Sequence, residues 1–203
     1  MPAPSPSRAL IEVGRRFYGR NWVLATSGNF SAVISQSPLR LCITQSAAHK
    51  GSLTPRDFLT IDESTTPVGR TTARPSAEAR LHIAIVRARS AGAVLHTHSV
   101  WSTMLSDRYS AEGGVALQGF EMLKGLDGVT THAHREWVPI LENDQDMARL
   151  AGAMAGVLGD HPDAHGVLLR GHGLYTWGRT IAEAERHVEA LEFLLETVGR
   201  QER

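Results

Sequence analysis

A single cysteine, Cys42, stands in 203 residues, so no intramolecular disulfide can form; a disulfide-stapled scaffold is excluded and a reducing compartment fits. Long apolar runs are missing too, and no stretch approaches the roughly 20 residues that a membrane-spanning helix needs. The opening MPAPSPSRAL has no apolar segment of the signal-peptide kind, so a soluble, cytoplasmic protein is expected, with residues 1–6 disordered. Excess charge of either sign is absent: 21 Lys and Arg balance 21 Asp and Glu. That balance removes the electrostatic case for nucleic acid or an anionic membrane as partner and leaves a small ligand. Internal repeats and low-complexity linkers are lacking as well. With 42% apolar content, residues 1–203 suit one domain around one substantial core.

Histidine, by contrast, is plentiful, with ten in the chain. The run AGAVLHTHS reads as an apolar strand ending in His96 and His98. Side chains at i and i+2 of a strand share a face, so both imidazoles can converge on one ion while Thr97 points away. His172, in RGHG, sits between Gly171 and Gly173, where the backbone can turn sharply toward other elements. Three neutral imidazoles with an open fourth position form the catalytic pattern of a divalent transition metal. A second His-x-His, His132 and His134 in VTTHAH, has no third histidine in a matching pattern. His82, His161, His165 and His187 read as ordinary helix or loop residues.

Helices and strands interleave along the chain. SRALIEVGRRFYGR places Leu10, Val13 and Phe17 at helical spacing, and SAVIS and LRLCIT follow as strands. Thr54 and Pro55 start a short helix before the strand FLTI. A helix beginning near Ser76 and ending at Gly92 feeds the histidine strand. Thr180 and Glu183 have capping-box spacing before a last helix whose apolar stripe is Ile181, Ala184, Val188, Leu191 and Leu195. Three polar clusters could cradle an anion with backbone N–H groups: Thr26 to Asn29, Thr44 to Ser46 with Lys50 and Gly51, and Ser76 at a helix start. The same residue types also dominate ordinary turns.

The ordered set SGNFS, ITQSAAHKG, RPSAEARLH, AVLHTHS, GFEMLKGL, VTTHAH and RGHGLYTWG resembles the class II aldolase/adducin family over roughly Phe17 to Val198. The resemblance implies an α/β fold, a three-layer α/β/α domain with a predominantly antiparallel central sheet. It implies His96, His98 and His172 as ligands of one Zn²⁺ per subunit, or of another divalent transition metal. It maps a phosphate pocket onto Gly28, Asn29, Thr44, Ser46, Lys50 and Ser76. It further implies a small phosphorylated sugar as substrate and a homotetramer with active sites near subunit interfaces. Two glutamates match acid/base positions of the family: Glu121, in GFEMLKG, that of its dehydratase branch, and Glu78, in PSAEARLH, that of its sugar-phosphate aldolases. Glu78 would lie in the first turn of a helix, where the macrodipole favours a carboxylate anyway. Glu121 lies among Phe120, Met122 and Leu123, where apolar surroundings would raise its pKa for proton transfer. Glu121 is therefore the expected acid/base and Glu78 a possible second one. Dehydration of the sugar phosphate is the implied reaction, with aldol cleavage, or a non-catalytic adducin-like binding module, as alternatives.

Overall fold

The computed structural model describes residues 5–201. Helix α1 (Pro6–Gly19) opens with proline in its first turn, where the missing N–H has no helical partner, and buries Leu10, Val13 and Phe17 on the predicted face. It begins inside the segment expected to be disordered; residues 1–4 lie outside the described residues. The expected strands appear as β1 (Asn29–Gln36), β2 (Leu39–Thr44) and β3 (Phe58–Asp62), the last entered through a 3₁₀ turn, Pro55–Asp57, closed by a Thr54/Asp57 capping box. Helix α2 (Ala79–Arg89) is shorter at both ends than predicted, because Ser76 to Glu78 form a turn and Ser90 adopts a left-handed conformation that stops it. There follow β4 (Ala93–Thr97), α3 (Val100–Arg108), β5 (Gly114–Gln118), a 3₁₀ turn at Glu121–Gly125 and β6 (Arg135–Leu141). Helix α4 (Met147–Asp160), β7 (Gly166–Leu169), β8 (Gly173–Gly178) and α5 (Ile181–Gln201) complete the order.

The eight strands form one sheet in the order β3-β2-β1-β4-β8-β7-β6-β5, antiparallel throughout except for β6 beside β7. Alternation along each strand sorts side chains between two helical layers. Val94, Val167, Leu169, Tyr175 and Trp177 face α2 and α4, against Leu81, Ile85, Leu150 and Met154. Ala93 and Leu95 face α1 and α5, against Leu10, Phe17, Ala184 and Val188, while Leu168 and Leu174 meet Leu105, Leu191 and Leu195 of α3 and α5. The fold is therefore the expected α/β/α arrangement. Each fully buried Leu, Val or Phe contributes roughly 1.5–3 kcal/mol, so both faces fix the central strands β4 and β8 firmly. No helix among the described residues is long and apolar enough to cross a membrane.

Candidate metal centre

Three neighbouring strands present one row toward α2: Asn29 of β1 lies opposite His96 of β4, and His96 opposite Tyr175 of β8. His96 is fully buried, its ring stacked on Tyr175 with centroids 3.9 Å apart and planes 9° from parallel. β4 ends at Thr97, so His98 stands one residue past the strand expected to carry both histidines, where its backbone N–H donates to the Trp22 carbonyl at 2.7 Å. Thr97 points the other way, as the strand period requires, and donates its hydroxyl to buried Glu192 of α5 at 2.6 Å. His172 comes from the β7–β8 turn, which α3 braces: the Thr103 hydroxyl donates to the His172 carbonyl at 3.0 Å, and the Gly171 N–H to Ser106 Oγ at 3.0 Å. Gly173 is needed where β8 closes on β4, since a Cβ there would meet the Thr97 carbonyl oxygen at 2.1 Å.

The three Nε2 atoms converge: His96 and His98 are 2.8 Å apart, His96 and His172 3.3 Å, and His98 and His172 3.2 Å. Nitrogens bonded at about 2.0–2.1 Å to a tetrahedral ion would stand about 3.3 Å from one another, so the spacing fits a bound divalent metal. Tautomers fit as well. His96 Nδ1 lies 3.0 Å from the Leu174 carbonyl, to which only an N–H can donate, leaving the Nε2 lone pair directed into the cluster. His172 Nδ1 stands 3.4 Å from Asn143 Oδ1 in the same sense. Burial, then the neighbouring histidines, hold the His96 pKa well below the usual imidazole range, and burial followed by His172 lowers that of His98 to about 4. Both rings are therefore neutral donors at physiological pH. The Glu78 carboxylate completes the cluster, with Oε1 3.2 Å from His172 Nε2 and Oε2 3.5 Å from His96 Nε2.

Beside the histidines lies a cavity of about 250 Å³, lined by Gly28, Asn29, Ser46, Lys50, Ser76, Glu78, His98 and His172 among others. Five of the six predicted phosphate-pocket residues thus meet there. Thr44 does not: its side chain is fully buried and its hydroxyl accepts the Phe30 N–H at 3.2 Å, so it serves the sheet. Gly28, at φ +72°, keeps the loop tight, because a Cβ would stand 2.6 Å from the His96 carbonyl oxygen. Lys50 is buried and donates to the carbonyls of Thr26 at 3.0 Å and Ala48 at 2.6 Å; burial lowers its pKa to about 8 although Glu78 and Asp57 pull it up. Three larger cavities, of about 340, 440 and 750 Å³, lie elsewhere, and the converging donors are not among their linings.

Glu121 stands apart from this centre. Its 3₁₀ turn sends Leu123 into the core and leaves the Glu121 side chain 70% exposed, 2.7 Å from Lys124 and 3.3 Å from His132. The expected apolar surroundings are not there. The Lys124 hydrogen bond and charge lower the Glu121 pKa where a raised one was predicted. Four strand steps of roughly 4.8 Å separate β5, which leads into that turn, from β4, which leads into the histidine centre. The second histidine pair does not converge: His132 pairs with Glu121, and His134 Nε2 with Glu136 at 2.9 Å.

Several residues that the sequence reading passed over have a place here. His82 is fully buried one helical turn from Glu78, on the same face of α2, and touches Asn29 and Ser31. The i, i+4 spacing of Glu78 and His82 was the available signal. Thr103, Ser106 and Asn143, which support His172, come from elements whose proximity no local pattern reveals.

Fold and site together define a class: the chain belongs to the Class II Aldolase and Adducin N-terminal domain family, whose model matches residues 8–198. A solved structure titled l-fuculose-1-phosphate aldolase, from Thermus thermophilus, superposes with a TM-score of 0.75 at 24% identity, over 96% of this chain and 94% of that one. More specific are two curated relatives named methylthioribulose-1-phosphate dehydratase. That of Methylococcus capsulatus is 48% identical over 94% of this chain and 91% of its own length. That of Sorangium cellulosum is 44% identical over 95% and 90%. Dehydratases of this kind are lyases, and the protein is an enzyme of that class.

Proposed function

We propose that the protein dehydrates 5-methylthio-D-ribulose 1-phosphate to 2,3-diketo-5-methylthiopentyl 1-phosphate, a step of L-methionine salvage, as a one-domain, cytoplasmic, zinc-dependent homotetramer. The observation that carries this is the 48% identity, over nearly the full length of both chains, to a methylthioribulose-1-phosphate dehydratase, in a chain whose three histidines converge. His96, His98 and His172 would hold the ion, which when bound supplies Lewis-acid polarisation of the substrate's C2 ketone. Lys50 and the backbone around Gly28, Ser46 and Ser76 receive the phosphate in the adjoining cavity. Asn29 faces Glu78 and holds that carboxylate beside the histidines.

Glu121 is the acid/base in this proposal. It removes the C3 proton and delivers it to the C4 hydroxyl as water departs, and the resulting enol tautomerises to the diketone. Because the turn that carries Glu121 follows β5, four strands from β4 in its own chain, Glu121 acts on the metal centre of a neighbouring subunit, its side chain exposed.

A second reading, sugar-phosphate aldol cleavage with Glu78 as acid/base, is favoured by the 3.2 and 3.5 Å approach of Glu78 to His172 and His96. One product assay separates the two. Zinc-loaded protein given 5-methylthioribulose 1-phosphate should form diketone and no dihydroxyacetone phosphate. Release of the triose phosphate would move the protein to the aldolases, and neither product would refute both readings.

A further inference from the structure

Behind the cavity runs a buried file of polar side chains: Ser31 of β1, His82 of α2, Asn29 of β1 and Glu78 at the start of α2. Ser31 and His82 are fully buried and Asn29 nearly so. Ser31 Oγ lies 2.7 Å from His82 Nδ1, His82 Nε2 contacts Asn29 Oδ1, and Asn29 Nδ2 donates to Glu78 Oε2 at 2.5 Å. The direction of every link follows from its far end. A carboxylate only accepts, so Asn29 must turn its NH₂ toward Glu78 and its Oδ1 toward His82. That oxygen also only accepts, so His82 carries its proton on Nε2. Its Nδ1 is then left with a lone pair, which accepts the Ser31 hydroxyl.

We propose that His82 and Ser31 are positioning residues for Glu78, acting through Asn29. Neither reaches the cavity. Together they forbid the flipped amide, which would aim Oδ1 at the carboxylate and release Glu78 from its place beside His96 and His172. Tyr175 flanks this file, edge-on to His82 at 5.9 Å and stacked on His96. A histidine buried only for packing would also need partners for its ring nitrogens, but it would act independently of Glu78.

The inference rests on Glu78 working in the site proposed above, and a double-mutant cycle tests it apart from that reading. His82→Leu, His82→Gln, Glu78→Gln and the His82→Leu/Glu78→Gln pair would be compared in kcat and KM for the ketose phosphate, in Zn²⁺ affinity by chelator competition, and in unfolding midpoint. His82→Leu should lower kcat roughly 10- to 100-fold, the effect of one hydrogen bond to a charged group, with KM changed by less than about 2-fold. Gln, which keeps a donor and an acceptor, should restore most of the loss. In the Glu78→Gln background, His82→Leu should change kcat and Zn²⁺ affinity by less than about 2-fold. Equal losses in both backgrounds, or a Gln variant as impaired as Leu, would overturn the proposal. If wild-type protein forms no diketone, the assigned reaction fails, and the relay is decided by Zn²⁺ affinity: His82→Leu should weaken it in the wild-type background and not in the Glu78→Gln background, and equal changes in both would overturn the relay. Should Leu at position 82 prevent folding, Ser31→Ala enters the same cycle with the same criteria.

Discussion

Two regions of this molecule are built from the same parts, three histidines and a carboxylate, and only one is left with donors to spare. Around His96, His98 and His172 the outer Nδ1 atoms of His96 and His172 face oxygen acceptors, so the Nε2 lone pairs meet with nothing between them. Around Glu136 the groups that face one another are paired. His165 Nδ1 lies 3.0 Å from Glu136 Oε2 and its Nε2 2.9 Å from the Asp127 carbonyl, so both nitrogens face acceptors, an arrangement that favours the imidazolium. His187 donates from Nδ1 to the Trp177 carbonyl at 2.8 Å and accepts the Asp127 N–H at Nε2, while His134 spends its Nε2 on Glu136. The first arrangement can bind; the second ties β6, α5 and the loop after Gly125 together. Unspent lone pairs, more than residue type or cavity size, distinguish a site from a brace.

The largest effect expected from breaking this contrast is at the open cluster. His96→Ala should lose metal and activity together, by more than the roughly 100-fold that changes behind a ligand produce, as measured by metal analysis and turnover. Stoichiometric zinc in that variant would show that the three lone pairs are not the binding site. Glu121→Gln should keep its metal and lose about 10²–10⁴-fold in rate. Near-wild-type turnover would remove Glu121 from the chemistry.

The closed cluster should respond in stability. Glu136→Gln strands the His165 imidazolium and should lower unfolding free energy by about 3 kcal/mol in urea titrations, with metal content unchanged. Its pH dependence follows from two opposed shifts. Burial disfavours the His165 charge, but the hydrogen bond and charge of Glu136 outweigh it and raise that pKa above 6.5; its contribution is full below 6.5 and fades as pH rises through the raised value. Burial likewise opposes the Glu136 charge, but His165 and His134 prevail and lower that pKa below 4.5; its contribution is full above 4.5 and fades as pH falls through the lowered value. The pair should therefore stabilise most between pH 4.5 and 6.5, a maximum that Glu136→Gln flattens. A pH profile of the variant parallel to wild type would contradict the bridge.

The smallest effect concerns Lys50. Lys50→Met should raise KM about 10-fold through loss of a charged phosphate contact. Because burial lowers its pKa to about 8, with Glu78 and Asp57 opposing, the protonated form is lost as pH rises through that value. kcat/KM should fall above pH 8 in wild type, and the variant should lack that limb.

What the sequence disclosed depended on how local the cause was. The strand period placed His96 and reversed Thr97, and the helical period of α5 marked Ala184, Val188, Leu191 and Leu195 as core. Glycines around His172 signalled a turn, and the turn is there. By contrast, the sequence sets Glu121 among Phe120, Met122 and Leu123, yet the phase of a 3₁₀ turn buries Leu123 and exposes Glu121 and Met122. His82, His165 and His187 looked ordinary because their partners Asn29, Glu136 and Trp177 come from other elements of the fold. Long-range pairing of that kind leaves no trace in local spacing. Resemblance to a family supplied the layer order and the pocket residues, and Thr44 is the one of those whose side chain the sheet claimed.

Catalysis that needs the histidine cluster of one subunit and Glu121 of another can be tested by mixing two inactive chains. His96→Ala and Glu121→Gln proteins, unfolded together in equal amounts and refolded with zinc, should regain about one quarter of wild-type diketone formation, the fraction of sites pairing an intact cluster with an intact Glu121. Activity no greater than the sum of the two parents would contradict a site shared between chains.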